Sequence, residues 1–179
     1  MARLFRPALD LMAHYAAFHR DRRNIITHFI GIPLIVFAVV ELLARAEFSV
    51  AGQPLNLAVV AWSVSALWYL TRGNLTVGAA TAAVNGVLTA MALGVAQGST
   101  SHWLAIGLGS FTVGWVFQFI GHYYEGKKPA FVDDLVGLLV GPMFVVAEAL
   151  FMLGWCRPLL AEIEHRVGPT HLRDLAQPV

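Results

Sequence analysis

Charge is scarce in this chain. Asp, Glu, Lys and Arg make up 13% of its 179 residues against 58% hydrophobic ones, at a mean hydropathy of +0.66, whereas ordinary soluble domains carry about 25% charged residues. So little polar surface excludes a globule standing free in water. The net charge of +1 says little as a total, because in a membrane protein the placement of charges carries the information; no nucleic-acid partner is expected. A single cysteine, Cys156, excludes an internal disulfide. Walker and dinucleotide glycine patterns, repeats of fixed period and low-complexity tracts are all missing. No long apolar run precedes Thr27, and Arg3, Arg6, Asp10, Arg20, Asp21, Arg22 and Arg23 crowd that segment, so no secretory signal is expected.

What the chain does have is long apolar stretches. A hydrocarbon core of about 30 Å needs roughly 20 residues of helix, and five stretches are candidates: 28–44, 56–71, 76–97, 103–124 and 134–155. The expectation is an all-α, polytopic integral membrane bundle of about five spans preceded by an N-terminal amphipathic helix. All of 1–179 would form one membrane domain: a cytoplasmic amphipathic segment (1–27), the bundle (28–155) and a polar tail (156–179). The turn Thr71-Arg72-Gly73-Asn74 makes a tight hairpin of the second and third spans, Ala46 to Pro54 reads as a polar loop, and Gln97 to Ser101 separates the third span from the fourth. Alternating spans put Arg3, Arg6, Arg20, Arg22, Arg23, Arg72, Lys127 and Lys128 on one face, which the positive-inside rule makes cytoplasmic. Five spans would leave Arg157, Arg166 and Arg173 outside; a half-length or re-entrant fifth segment would return them. Gly107, Gly114 and Gly121, seven residues apart, offer a smooth stripe for close helix packing.

Seven histidines are available: His14, His19, His28, His102, His122, His165 and His171. The alternation of spans brings His19, His28 and His122 to the cytoplasmic face. From Pro7 to His19, Leu9, Met12, Tyr15, Ala16 and His19 share one stripe at helical spacing, with His14 beside Asp10 on the polar side. On an unbroken helix His28 would point half a turn away from His19, so a shared site requires a bend between Arg20 and Asn24, with Asn24 as N-cap of the next helix. Pro33 should loosen the turn around His28. Gln118, His122 and Glu125 share a face of the fourth span, and Asp133 and Asp134 lie in the adjoining segment. An interfacial histidine is often only a hydrogen-bonded end cap; three together with carboxylates point equally to a metal. Imidazole suits zinc, copper and iron alike, and a set with an open position favours ferrous iron and oxygen chemistry. Glu41 and Glu148 fall inside apolar spans, about 20 Å from the cytoplasmic starts at 1.5 Å per residue, too deep to join that set.

Three ordered motifs carry a resemblance. Tyr15-x3-His19-x4-Asn24-x3-His28-x2-Gly31-x-Pro33, Gln118-x2-Gly121-His122-x2-Glu125-x3-Pro129-Ala130 and Pro142-x-Phe144-x3-Glu148 resemble the small membrane family that includes the fungal 2-hydroxy fatty acid dioxygenase of phytosphingosine breakdown. The resemblance implies an Fe(II)-dependent dioxygenase of lipid α-oxidation that converts a 2-hydroxy fatty acid and molecular oxygen to a fatty acid one carbon shorter. It implies His19, His28 and His122 as metal ligands and catalytic centre, and Asn24, Gln118 and Glu125 as partners that orient the imidazoles. A 2-hydroxy acid has oxygens on adjacent carbons and can chelate ferrous iron; Arg20, Arg22, Arg23, Lys127 and Lys128 would attract its carboxylate or simply fix topology. The location would be a bacterial inner membrane or the endoplasmic reticulum, with oligomeric state open. Two other classes compete: a transporter using Glu41, Asn85 and Glu148 deep in the bundle, and a non-catalytic organiser needing only the glycine stripe.

Overall fold

The computed structural model describes residues 3–129 and 135–176; Ala130, Asp133 and Asp134 lie outside them. Among the described residues the chain forms seven α-helices and one β-hairpin: α1 (Ala8–Ala16), α2 (Arg22–Leu43), β1 (Glu47–Val50), β2 (Gln53–Asn56), α3 (Leu57–Leu70), α4 (Leu75–Val95), α5 (Thr100–Glu125), α6 (Val136–Met152) and α7 (Arg157–Val167). Helix starts follow capping chemistry. The side chain of Asp21 accepts from Arg23 N at 2.8 Å, so Asp21, and not Asn24, caps α2. Asn56, Asn74 and Ser99 cap α3, α4 and α5, and Gly126, at φ 72°, ends α5. Pro33 is accommodated without interrupting α2. The stretch expected as a loop after α2 is an antiparallel hairpin, closed by Ala51 and Gly52 with φ of 51° and 79°, the sign that tight hairpin turns require.

Four helices run between two ends of the bundle. At one end β2 and α3 tie back to α2 through Leu57 N donating to Ala46 O at 2.8 Å, and Arg45 Nε donates to Ala96 O at 2.8 Å. At the other, Ala8 N donates to Arg72 O at 2.7 Å and Lys127 Nζ to Ala17 O at 2.7 Å. The basic residues expected to share a face, Arg72 and Lys127 among them, are therefore at the α1 end.

The expected count of about five spans meets three helices long and apolar enough to cross a membrane: α2, α4 and α5. With 14 residues, α3 reaches about 21 Å at 1.5 Å per residue, short of the core thickness. A fourth candidate is the α6–α7 pair, bent by 116° at Cys156, whose φ is 52°. The tail does not depart on the far side. His171 N donates to Arg20 O at 2.8 Å, Arg22 N donates to His171 O at 2.9 Å, and Arg173 N donates to the Asp21 carboxylate at 2.7 Å. The last apolar segment is thus a bent helix pair, the geometry of a broken span or of a re-entrant loop, and the described part of the tail returns to the α1–α2 joint.

The glycine stripe forms the α2–α5 seam. A Cβ at Gly114 would stand 2.7 Å from Ile35 Cγ1 and 2.9 Å from Gly31 O; one at Gly121 would overlap Thr27 Oγ1 and the Asn24 amide; one at Gly107 would overlap Glu41. Only hydrogen at these positions lets the backbones meet. A second core joins Met12, Tyr15 and Ala16 to Met143, Phe144 and Ala147 of α6 and Ile163 of α7. It buries α1 on more than the single stripe expected.

Candidate metal centre

The backbone between α1 and α2 makes the required bend, at Ala17–Asp21 and slightly earlier than the sequence suggested. Its clamp is Glu125, at the last turn of α5. One carboxylate accepts from Arg20 N (3.0 and 2.9 Å), Asp21 N (2.8 Å) and Asn24 Nδ2 (3.1 Å). These donors include amides left open at the start of a helix, where a carboxylate is favoured. Glu125 therefore shapes the loop that carries His19 and does not contact an imidazole. Asn24 donates also to Phe18 O at 3.1 Å, and its own carbonyl accepts from the ring of His28.

The consequence is convergence. His19, His28 and His122 are buried, and one ring nitrogen from each falls within 4.8 Å of the others. Ring centroids are 4.5 Å (His19–His28), 4.9 Å (His19–His122) and 5.2 Å (His28–His122) apart, with planes 71 to 80° from one another. Tyr15 stacks on His19 at 4.0 Å and 4°, and Phe144 closes against both.

The hydrogen bonds decide what the cluster is suited to hold. His19 Nδ1 lies 2.7 Å from Tyr15 O and His28 Nδ1 2.9 Å from Asn24 O. A carbonyl only accepts, so each Nδ1 carries the proton and each neutral ring presents a bare Nε2. Those two Nε2 atoms are 3.0 Å apart, and His122 Nδ1 is buried with no hydrogen-bond partner. Lone pairs face one another in a buried site. An added proton is disfavoured there, since burial first, and then the neighbouring His28 and His122, hold the His19 imidazole well below its ordinary pKa. A cation resolves the conflict, and imidazoles whose other nitrogen binds a backbone carbonyl are the usual form of metal-ligating histidine. The three residues fit a first-row metal ion.

Other expected site residues fall into different roles. Gln118 lies in the adjoining pocket with His122, its buried Nε2 without a partner. Arg20 is 4% exposed and spends its guanidinium on Ala16 O, His19 O and Gly168 O, so it anchors the tail and does not attract ligands from solvent. Asp21 is drawn into the same joint; burial would raise its pKa, but the bonds from Arg23 and Arg173 outweigh that and bring it down to about 2. His14 is exposed. Glu148 is placed otherwise than its position in the sequence suggested: its carboxylate is 3.8 Å from Arg20 Nη2, at the histidine end, because α6 finishes there. Glu41 lies against Gly107 toward the other end, and Asn85 lines a cavity between the helices together with Tyr69. These three polar groups of the transporter reading are not gathered in one place.

What sequence reasoning missed is the cavity that begins at Gln118 and His122, since concavity between helices leaves no periodic signal. The family model described as 2-hydroxy-palmitic acid dioxygenase Mpo1-like matches residues 5–153. The 2-hydroxy-palmitic acid dioxygenase MPO1 of Saccharomyces cerevisiae (strain ATCC 204508 / S288c) is 32% identical over 164 residues, covering 88% of this chain and 89% of that protein. No solved structure matches. On the span of the match and the level of identity, this chain belongs to the 2-hydroxy-palmitic acid dioxygenase Mpo1-like family.

Proposed function

We propose that this protein is a membrane-embedded, Fe(II)-dependent dioxygenase that cleaves 2-hydroxy fatty acids. The products are a fatty acid one carbon shorter, carbon dioxide and water, which balances one 2-hydroxy acid and one oxygen molecule. The observation that carries the metal assignment is the 3.0 Å contact of two unprotonated Nε2 atoms beside the unpartnered His122 Nδ1. The activity and substrate come from the relative's name. His19, His28 and His122 hold the ion and are the catalytic centre. When bound, ferrous iron supplies the one-electron chemistry with oxygen that organic side chains lack.

The protein's part is to fix and shield. Backbone carbonyls of Tyr15 and Asn24 lock two imidazoles in one tautomer, Tyr15 holds the His19 ring in plane, and Phe144 keeps water from it. Glu125 and Asn24 position the rings through the α1–α2 joint. Gln118 Nε2 is a free donor for a substrate oxygen near His122.

The whole chain is one membrane domain. Its α2, α4 and α5 cross the bilayer, the shorter α3 carries the chain back through a locally thinned core, and α6–α7 re-enters, so His19, His28 and His122 share the cytoplasmic face. A substrate comparison tests the reading. With ferrous iron and oxygen, and without 2-oxoglutarate, detergent-solubilised protein should shorten a long-chain 2-hydroxy acid. It should leave the unsubstituted acid intact and act poorly on the 3-hydroxy isomer, whose hydroxyl is one carbon too far from the carboxylate. Equal conversion of all three would overturn it.

A further inference from the structure

We infer that the cavity beside the histidines seats the alkyl tail of the substrate, loaded sideways from the lipid, with Ala61 and Trp62 setting the length of tail admitted. The inference rests on the dioxygenase reading above and adds to it a tail site, an entry route and a specificity determinant.

The cavity has two chambers. The first, about 60 Å³, is lined by Gln118 and His122 at its polar end and by Trp115 and Pro142 farther in. The second, about 380 Å³, shares Trp115 and Pro142 with the first and continues to Val40, Trp62 and Thr89. Val40 follows His28 by three turns of α2, about 18 Å at 1.5 Å per residue. That depth is comparable with one leaflet, half of a core of about 30 Å. Beyond it Val40 packs with Ala58 and Ala92 and closes the floor.

Asn85 apart, the walls of the second chamber are apolar in effect, even where the residues are polar. Ser65 Oγ donates to Trp62 O (2.9 Å), Thr89 Oγ1 to Asn85 O (2.8 Å), Trp62 Nε1 to Ala82 O (3.0 Å) and Tyr69 OH to Leu139 O (2.9 Å). Each of these donors is spent on a backbone carbonyl, which leaves a lining suited to hydrocarbon and not to an ion or a sugar. One side is open. Among the described residues α5 packs along α2 without extended contact to α3, α4 or α6. The lining residues Val39, Phe111 and Leu138 are 42%, 38% and 48% exposed at that gap. In a bilayer the gap faces lipid tails. A fatty acid can thus move in without its chain leaving hydrocarbon, its headgroup arriving at His122 and Gln118.

The test uses the iron-loaded full chain in nanodiscs and a mixture of saturated 2-hydroxy acids of graded length. Ala61→Phe should lower conversion of the longest acids roughly tenfold relative to the shorter ones, and Trp62→Ala should shift preference the other way. Independently, a long-chain 2-hydroxy acid bearing a diazirine on its terminal carbon, irradiated under anaerobic conditions with wild-type protein, should label α3 and α4 around Ala61 and Thr89. Unchanged length profiles, or labelling spread over the outer face of α5, would overturn the tail site while leaving the reaction standing. If the wild type converts none of the acids, the dioxygenase reading fails; labelling at Ala61 and Thr89 would then still support the tail site, and its absence would overturn it.

Discussion

Two bare imidazole nitrogens 3.0 Å apart repel one another unless something positive lies between them, and the other residues of the joint hold them there. His19→Ala, His28→Ala and His122→Ala should therefore each sharply lower the iron retained after anaerobic reconstitution. His14→Ala and His171→Ala should not, since both side chains are exposed and outside the cluster; metal analysis of the five variants checks this. Glu125 acts one step removed. Its buried carboxylate accepts from Arg20 N, Asp21 N and Asn24 Nδ2, and Glu125→Gln turns an amide donor toward donors. The expected cost is about 1–3 kcal/mol of stability, read by thermal unfolding in detergent, together with weaker iron binding. At this scale the sequence was informative about the histidines, because alternating spans force them to one face. It was less so about Glu125, since a carboxylate near a metal site reads equally as ligand, as partner of an imidazole, or as clamp for backbone amides.

The α2–α5 pair is the element that sets the distance between His28 and His122. Gly114→Ala and Gly121→Ala should each force the two helices apart, at a cost of about 1–3 kcal/mol for overpacking, and should reduce iron occupancy along with stability. Gly94→Ala, where a Cβ would meet nothing within 4 Å, is the control and should change neither. The heptad spacing of Gly107, Gly114 and Gly121 made this seam legible, because a repeat in residue size survives in one dimension. The α6–α7 pair was not legible in the same way. An apolar run of span length says how much hydrocarbon it can meet but not which way it points, and the break at Cys156 follows an otherwise unremarkable Gly154-Trp155. Counting from the wrong end then put Glu148 deep, although it faces Arg20 at the histidine end. The short hairpin after α2 was missed for a related reason: Ala46 to Pro54 is too brief for its alternation to stand out from a loop.

Among the described residues the molecule gathers Arg20, Arg22, Arg23, Arg72, Lys127 and Arg173 at the end that holds His19, His28 and His122, and leaves Arg45 at the other. Cysteine labels beside Arg22, Arg72, Lys127 and Arg173, in a chain with Cys156 replaced, should react from the cytoplasmic side, and one beside Arg45 from the opposite side. Opposite accessibility of the Arg22 and Lys127 sites would separate His19 from His122 and dissolve the centre. Composition was enough to announce helices of membrane length, of which the structure has three, and the three motifs were enough to announce the family; the ion and the reaction are matters for chemistry. The most direct test is a single turnover of stoichiometrically iron-loaded protein with a long-chain 2-hydroxy acid under ¹⁸O₂, analysed by mass spectrometry. The account predicts a fatty acid one carbon shorter with one labelled oxygen in its carboxylate, formed by wild-type protein and not by His122→Ala. A folded, iron-loaded preparation that leaves 2-hydroxy acids of every chain length unchanged would contradict it.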